Sequence, residues 1–265
     1  ARIGGESALD WVNATVSELK ANSNVTLLPR STVTGYYDHN FLVINERRTH
    51  HLGPGQADPR ISRERLWRVR ASQVVLATGA IERPLVFEGN DVPGVMLCSA
   101  VSTYIRRYAV IPGRRGAVFT NNDSGYQAAV DMAWAGMKVV AIVDSRRSPG
   151  ASVARETEAL GIPVYKGHVI SSARSGSEGL NRVELSRWSK STGELTAHKG
   201  MIDCQILALS GGLSPVVHLH SQSGAKPVFD SRVAAFLPGA SVQKERSVGG
   251  CNGTFDLGDC LREGV

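Results

Sequence analysis

One stretch decides the fold: Val74-Val75-Leu76-Ala77-Thr78-Gly79-Ala80-Ile81-Glu82-Arg83-Pro84. It begins with an apolar, largely β-branched run, which is typical of a strand that is buried on both faces. The run leads to Gly79, and Arg83 and Pro84 end the segment. Because glycine has no side chain, the backbone at Gly79 can approach a ligand closely. The stretch therefore predicts a buried strand that ends at a ligand-binding turn.

A βαβ pattern follows further along the chain. Apolar spacing predicts a strand over 116–120, a helix over 124–135 and a second strand over 138–143 that leads to Asp144. In a dinucleotide fingerprint, glycines follow the first strand and a carboxylate about 20 residues later binds the ribose. Of those glycines the chain keeps only Gly125, which serves helix–strand packing, whereas Asp144 stands at the ribose position. The pattern predicts either a nucleotide-binding unit or a purely structural one.

A glycine-rich run near the end of the sequence is the second candidate binding segment. Gly249 and Gly250 precede a predicted helix start at 252–254. The first amides of a helix lack partners within it, so this start could hold a pyrophosphate or the polar rim of a ring cofactor. An ordinary capped surface helix is the alternative. No pattern in the chain indicates a catalytic acid, base or nucleophile, and we expect no catalytic residue in it.

The domain organisation follows from two apolar strands that both lead to glycine. One is the strand before Gly79, and the other is predicted over 201–209, before Gly211. Because these strands bracket the βαβ pattern, we expect one domain, 1–84 plus 201–265, that is interrupted by a smaller domain, 85–200.

The N-terminal part of the chain has simpler patterns. Apolar residues at helical spacing predict a helix over 8–21. A short strand is expected over 25–28. Antiparallel strands are expected on either side of a turn at Asp38-His39-Asn40, residue types that tolerate turn geometry.

Composition bounds the classes of function. The 265 residues carry a formal net charge of +6, with basic residues in scattered pairs that lack interleaved aromatics. This predicts a charged surface without a nucleic-acid site, and more weakly an attraction for anionic cofactors or for an acidic partner protein. The four cysteines form no C-x-x-C motif, which excludes thioredoxin-like redox pairs and zinc ribbons. Histidines at 50–51 and at 218 and 220 lack ligand spacing, so no metal site is expected.

Nothing in the chain is typical of a signal peptide or of a membrane-spanning segment. We therefore expect a cytoplasmic protein without membrane contact. The sequence begins without methionine, and we expect it to be part of a longer polypeptide.

Several phrases together resemble the alpha subunit of heterotetrameric sarcosine oxidase. They are Gly-Tyr-Tyr-Asp-His-Asn at 35–40, Ala-Thr-Gly-Ala-Ile-Glu-Arg-Pro-Leu-Val-Phe at 77–87, Asn-Asp-Val-Pro-Gly-Val-Met-Leu at 90–97, Phe-Thr-Asn-Asn-Asp-Ser at 119–124 and Asn-Gly-Thr-Phe at 252–255. Opine oxidase and cyanide-forming glycine dehydrogenase subunits share the architecture. The resemblance implies an α/β chain with a glutathione-reductase-like FAD/NAD(P)-binding fold: a split dinucleotide-binding domain with a smaller Rossmann-like domain inserted.

The resemblance also implies an activity. Enzymes of this type oxidatively demethylate sarcosine, with folate as one-carbon acceptor and oxygen as electron acceptor. The alpha subunit binds NAD, whereas amine oxidation uses FAD and FMN on or against a flavin-bearing beta subunit, and smaller subunits complete a heterotetramer. The glycine-rich unit of the family precedes the part that matches this chain. A stand-alone NAD(P)H:FAD reductase module, an opine-oxidase-type subunit and a scaffold that binds nothing are the alternatives.

By position in the resemblance, Val33 offers its backbone to the adenine of NAD, and Thr78 and Gly79 flank the dinucleotide. The nicotinamide side is lined from the glycine-rich run. The residues expected there are Gly250, Phe255 and Leu257, and Gly249, Asn252 and Gly253 of the same run are expected to bind the cofactor as well.

Overall fold

The computed structural model describes residues 2–189 and 191–264, without the side chains of 151–153. Its helices are α1 Ala8–Ala21, α2 Cys98–Tyr108, α3 Ser124–Trp134, α4 Ala151–Ala159, α5 His218–Gln222 and α6 Leu257–Glu263, with a 3₁₀ helix at Gly249–Asn252. Its strands are β1 Arg2–Ile3, β2 Glu6–Ser7, β3 Ser31–Tyr37, β4 Phe41–Arg47, β5 Glu64–Arg70, β6 Val74–Leu76, β7 Ala80–Glu82, β8 Val95–Leu97, β9 Arg115–Thr120, β10 Lys138–Asp144, β11 Val164–Lys166, β12 His168–Gly176, β13 Gly179–Trp188, β14 Leu195–Asp203, β15 Ile206–Ser210, β16 Leu213–Pro215, β17 Val228–Asp230, β18 Ala235–Leu237 and β19 Glu245–Ser247.

The chain forms two compact units. The first unit consists of Ala1–Ala77, Val217–Val228 and Pro238–Val248. The second consists of Thr78–Val216, Phe229–Leu237 and Gly249–Val265. Both units are therefore discontinuous in sequence.

A five-stranded parallel sheet forms the centre of the second unit. Its strand order is β11-β10-β9-β15-β8. All five residues of β15 are buried, as expected for a strand inside a parallel sheet. The sequence predicted one strand over 201–209 in the interrupted domain. The structure corrects this: β14 and β15 are separate strands, and β15 pairs with β9 of the βαβ unit.

Both faces of this sheet are covered. On one face Val118, Ile142 and Ala208 pack in a cluster with residues of α2 and α3. On the other face Phe119, Val143 and Leu207 pack against the antiparallel sheet β12-β13-β14. Alternate residues of each strand thus enter opposite cores, which explains why these strands are apolar throughout. The predicted strand–helix–strand pattern of 116–144 is confirmed by β9, α3 and β10.

The first unit is built around the antiparallel sheet β3-β4-β5 and the parallel pair β6 and β19. Its small core contains Tyr36, Leu42, Val74 and Leu76. The predicted helix at α1 is confirmed, yet none of its residues is buried.

Two local predictions for the first unit have different outcomes. The turn at Asp38-His39-Asn40 is confirmed: His39 and Asn40 have φ values of 61° and 51°, and Phe41 opens β4. The strand expected over 25–28 is wrong, because these residues have no regular secondary structure in the described chain.

A bilayer crossing by helix is not supported in residues 2–189 and 191–264, where no helix is both long and apolar enough for it.

Candidate functional site

The turn at Thr78 and Gly79 is held rigidly and is open on one side. The hydroxyl of Thr78 donates to the Val216 carbonyl at 2.7 Å, and the Val216 amide donates to the Gly79 carbonyl at 2.9 Å. Gly79 has a φ of 74°, a conformation that favours glycine. A Cβ at Gly79 would meet no atom within 4 Å. The turn therefore presents bare, unobstructed backbone in the second unit.

Gly250 packs directly against this turn. A Cβ on Gly250 would lie 3.2 Å from both the Cα and the carbonyl carbon of Gly79. Such a contact with backbone is tighter than side chains normally make, so the two segments meet closely only because Gly250 has no side chain. The structure thus brings together two residues that the sequence proposed separately.

Glu263 closes the other side of the glycine-rich run. Its carboxylate accepts from the Gly249 amide at 2.7 Å, and it also bonds the side chains of Asn252 and Thr254. Burial raises the pKa of Glu263, but these hydrogen bonds outweigh burial and lower the pKa below its ordinary value. No sequence pattern indicated Glu263, since no local spacing links it to Gly249.

The predicted helix start at 252–254 is wrong by several residues. A 3₁₀ helix covers Gly249–Asn252, and Gly253 has a φ of 86°. The helix α6 begins only at Leu257, where the Asp256 carboxylate accepts from the Asp259 amide at 3.0 Å. Aspartate is among the preferred N-cap residues, and this explains the later start. Phe255 and Leu257 are exposed.

The contacts of the glycine-rich run bear on which part of a dinucleotide could lie beside it. The bare backbone at Gly79 fits the close approach of a flat ring or a ribose. The Gly249 amide already has a carboxylate acceptor at 2.7 Å. The residues present therefore fit a lining for a dinucleotide, and they do not form a pyrophosphate cradle at Gly249.

Two other predicted binding residues lie elsewhere. Val33 is part of β3, opposite Ile44 of β4, in the first unit. Its contact with adenine stays a prediction. Asp144 ends β10 in the second unit, at the carboxyl edge of the parallel sheet.

Asp144 is the centre of a buried network. It is fully buried, and it accepts from the Tyr126 hydroxyl at 2.9 Å. Arg146 donates to both carboxylate oxygens, through its backbone amide at 2.8 Å and its guanidinium at 2.9 and 3.1 Å. Burial, followed by the charge of Asp144, raises the pKa of Tyr126 far above its ordinary value. These hydrogen bonds satisfy both oxygens of the Asp144 carboxylate, which the sequence placed at the ribose-binding position.

The turn after β9 is filled by its own side chains. The side-chain nitrogen of Asn122 donates to the carbonyl and hydroxyl of Ser210 at 3.1 and 3.0 Å. Its side-chain oxygen accepts from the backbone amide of Ser124 at 3.0 Å. A Cβ on Gly125 would lie 2.6 Å from the Cβ of Thr120. The packing role predicted for Gly125 is confirmed, because any larger residue would push α3 away from β9.

Comparison with known proteins identifies relatives along the whole chain. It is 43% identical to the sarcosine oxidase alpha subunit of Corynebacterium sp. strain P-1 and 38% identical to that of Rhizobium meliloti, in both cases over 100% of its residues. The chain is a homologue of the sarcosine oxidase alpha subunit. The resemblance seen in the sequence is thereby confirmed. This chain spans about a quarter of the length of those relatives, 27% and 25% respectively.

More distant matches agree with this result. An opine oxidase subunit of Rhizobium meliloti is 24% identical over 206 residues, which cover 72% of this chain and 45% of that protein. No protein-family model matches the chain.

Solved structures show the fold. Bacillithiol disulfide reductase from Staphylococcus aureus has a TM-score of 0.62 at 13% identity and covers 92% of this chain and 68% of its own. Thioredoxin reductase from Lactococcus lactis has a TM-score of 0.61 at 16% identity, with coverages of 88% and 70%. The predicted α/β fold is confirmed, since these two reductases share it.

Proposed function

We propose that this sarcosine oxidase homologue is the central, cofactor-holding part of an alpha subunit in an enzyme that oxidatively demethylates sarcosine. The carrying observation is the 38–43% identity with such subunits along every part of the chain. In this proposal folate accepts the one-carbon unit and oxygen accepts the electrons. NAD binds this region, and FAD and FMN, which supply the redox chemistry when bound, belong to the complete complex.

The geometry of the second unit supports most of the residues that we propose for the NAD site. Thr78 and Gly79 present open backbone, and Gly250 packs against them. Gly249, Asn252 and Gly253 hold the adjoining run, and Phe255 and Leu257 extend it with exposed apolar side chains. Val33 is proposed for the adenine side. Asp144 is proposed only as a secondary nucleotide contact, since its carboxylate already holds Arg146.

We assign no catalytic residue to this chain. Substrate oxidation is proposed to occur on or against a flavin-bearing partner subunit, with smaller subunits completing a heterotetramer. The proposed compartment is the cytoplasm, without nucleic-acid or membrane partners.

Reconstitution tests this function. The full-length subunit that contains this chain is co-expressed with its flavin-bearing partner, and oxygen uptake is followed with sarcosine, with and without tetrahydrofolate. Sarcosine-dependent uptake by the complex, and none by the isolated chain, is expected. Turnover of sarcosine by the isolated chain would contradict the proposal, because the chain would then have to contain the catalytic groups.

The opine oxidase match supports a second candidate substrate class. It covers 72% of the chain, although at 24% identity. The same reconstituted complex decides between them: oxygen uptake or dye reduction with an opine but not with sarcosine would favour an opine-oxidase-type subunit.

A further inference from the structure

A cavity of about 500 Å³ in the second unit is lined by three basic side chains. They are Arg147, Lys166 and Arg187, and all three are exposed. Trp188, which is partly buried, lines the same cavity. No acidic residue is among the described residues of the lining. We call the cavity with these four residues the basic cavity. Its volume is typical of small-molecule sites.

The cations of the basic cavity come from separate elements of the second unit. Lys166 is the last residue of β11 and pairs with Asp144, the last residue of β10. Arg147 follows shortly after β10, and Arg187 of β13 pairs with His168 at the start of β12. Because β10 and β11 are parallel, the cavity lies beside the carboxyl edge of the sheet. Ligands of parallel sheets bind outside this edge.

Backbone contacts hold the walls of the basic cavity in place. The Gly167 amide donates to the Arg146 carbonyl at 2.9 Å, and the Trp188 amide donates to the Gly167 carbonyl at 3.3 Å. A Cβ on Gly167 would lie 3.3 Å from Cγ of Arg147, so the aliphatic part of Arg147 packs closely on bare backbone. The positions from which Arg147 and Trp188 enter the cavity are therefore set before a ligand binds, which lowers the ordering cost of binding.

The three cations have no counter-ion among the side chains that the structure describes. Neither an ion pair nor a hydrogen bond there involves the side chain of Arg147, Lys166 or Arg187. The neighbouring Arg146 differs, since its guanidinium pairs with Asp144 at 2.9 Å. Like charges that converge on one cavity repel each other, and an anion in the cavity replaces this repulsion by attraction. The charge balance therefore indicates an anionic ligand.

The lining of the cavity and its surroundings narrow the class of anion. A phosphate group accepts hydrogen bonds from several arginine and lysine side chains at once. Trp188 adds an aromatic side chain to the lining, and flat rings stack on aromatic side chains. The nearby turn after β9 is filled by Asn122, and Asp144 already holds Arg146. A compact phosphate ester with a flat ring fits these features, whereas a dinucleotide would have to cross the filled turn.

We propose that the basic cavity binds a compact phosphate ester that carries a flat ring, the chemical class of a nucleoside monophosphate. The phosphate lies among Arg147, Lys166 and Arg187, and the ring packs against Trp188. The site uses none of the residues proposed for NAD. It therefore goes beyond the proposed function and does not depend on it.

The test is a calorimetric titration of adenosine monophosphate into the full-length subunit that contains this chain, with NAD present in excess. Saturable binding is expected. Arg147→Gln and Arg187→Gln are each expected to weaken it at least about tenfold, since each removes charge-assisted hydrogen bonds to the phosphate. Arg182→Gln is the matched control, because Arg182 is an exposed residue of the same strand β13 that lies about 16 Å from Arg187 and pairs with Asp203. Its affinity should stay within about twofold of wild type, since charges at this distance are screened by salt.

Two further probes separate the parts of the ligand. Ribose 5-phosphate, which lacks the flat ring, is expected to bind more weakly than adenosine monophosphate, and Trp188→Leu should remove that difference. Adenosine, which lacks the phosphate, is expected to show no saturable binding in the presence of NAD. The affinity for adenosine monophosphate should fall as salt rises, because the contacts are charged. Circular dichroism and the thermal midpoint show that each variant is folded.

Several outcomes would overturn the proposal. The absence of saturable binding by the folded wild-type subunit would show that the cavity is solvated surface or is covered by the rest of the polypeptide. Equal affinity of wild type, Arg147→Gln and Arg187→Gln, or displacement of adenosine monophosphate by NAD, would place the bound ligand elsewhere. Citrate that binds as tightly as adenosine monophosphate would overturn the assignment to a phosphate. Failure of NAD itself to bind would remove only the NAD proposal, since the same titration is then decisive without NAD.

Discussion

Two turns in the second unit resemble each other in sequence but differ in the atoms that surround their glycines. Each follows an apolar strand and contains a glycine. Around Gly79, a Cβ would find no atom within 4 Å. Around Gly125, a Cβ would find Thr120 at 2.6 Å, and Asn122 fills the rest of the turn with hydrogen bonds to Ser210 and Ser124.

The difference shows that glycine serves two purposes that sequence patterns do not separate. One glycine leaves backbone open to something outside the chain, and the other lets a helix pack against a strand. A cofactor can use only the first kind. This contrast, more than any motif, favours Gly79 as the candidate NAD lining, with Gly250 as the glycine that packs against it.

The largest expected effect comes from filling the packed turn. Gly125→Ala forces a Cβ into the side chain of Thr120, which is fully buried and whose hydroxyl donates to the Asn122 carbonyl. We expect a loss of about 1–3 kcal/mol in the free energy of unfolding, measured by urea denaturation. Gly264→Ala is the matched control, since its Cβ would meet nothing closer than 3.6 Å. Equal stability of the two variants would contradict the packing role of Gly125.

A smaller effect is expected when the Asn122 side chain is removed from the same turn. Asn122→Gly restores a glycine at the second fingerprint position and removes the cap on the Ser124 amide. The free energy of unfolding should fall by about 1 kcal/mol. NAD affinity should not rise, because Asp123 and the two serine side chains remain in the turn. Asn121→Gly controls for added backbone freedom, and a gain in NAD affinity only for Asn122→Gly would transfer the site to this turn.

The smallest expected effect is a change in how thermal stability depends on pH. It involves Glu263, whose carboxylate accepts from the Gly249 amide. The pKa of Glu263 is lowered in the folded protein, so its contribution to stability is present above its unfolded pKa of about 4.5 and is lost as pH falls through the folded value. Between pH 6 and pH 3, the thermal midpoint should therefore decline more in wild type than in Glu263→Gln. Glu18→Gln, on exposed α1, is the control. Identical pH profiles for all three proteins would show that Glu263 does not hold the Gly249 amide.

Sequence reasoning succeeded where the signal is local. The helix of α1, the turn at His39 and Asn40, and the strand–helix–strand order around α3 follow from spacing and residue type over a few residues. The packing role of Gly125 was also predictable, because a helix that follows a strand in a βαβ unit must approach it closely.

The errors and omissions involve partners far apart in sequence. β15 lies between β8 and β9, and its paired residues are 112 and 90 positions away in the sequence, a distance that no local pattern encodes. The partners of Asp144 and Glu263 were likewise unforeseen. The sequence assigned Asp144 to a ribose and gave Glu263 no role, because Tyr126 and Gly249, which donate to these carboxylates, lie 18 and 14 residues away. The start of α6 was misplaced because glycines suggested a helix opening, whereas the Asp256 cap determined it.

The most direct measurement is a calorimetric titration of NAD into wild type, Gly79→Ala and Gly193→Ala. Gly193 is the matched control: its φ of 72° is close to the 74° of Gly79, and its Cβ would also meet no atom within 4 Å. Both alanine variants therefore carry the same backbone cost of about 1–2 kcal/mol. We predict saturable binding to wild type and Gly193→Ala, and an affinity at least about tenfold weaker for Gly79→Ala, since a methyl group then covers the open backbone. Equal NAD affinity of the two variants, or no binding by folded wild type, would contradict the placement of the cofactor lining at Gly79.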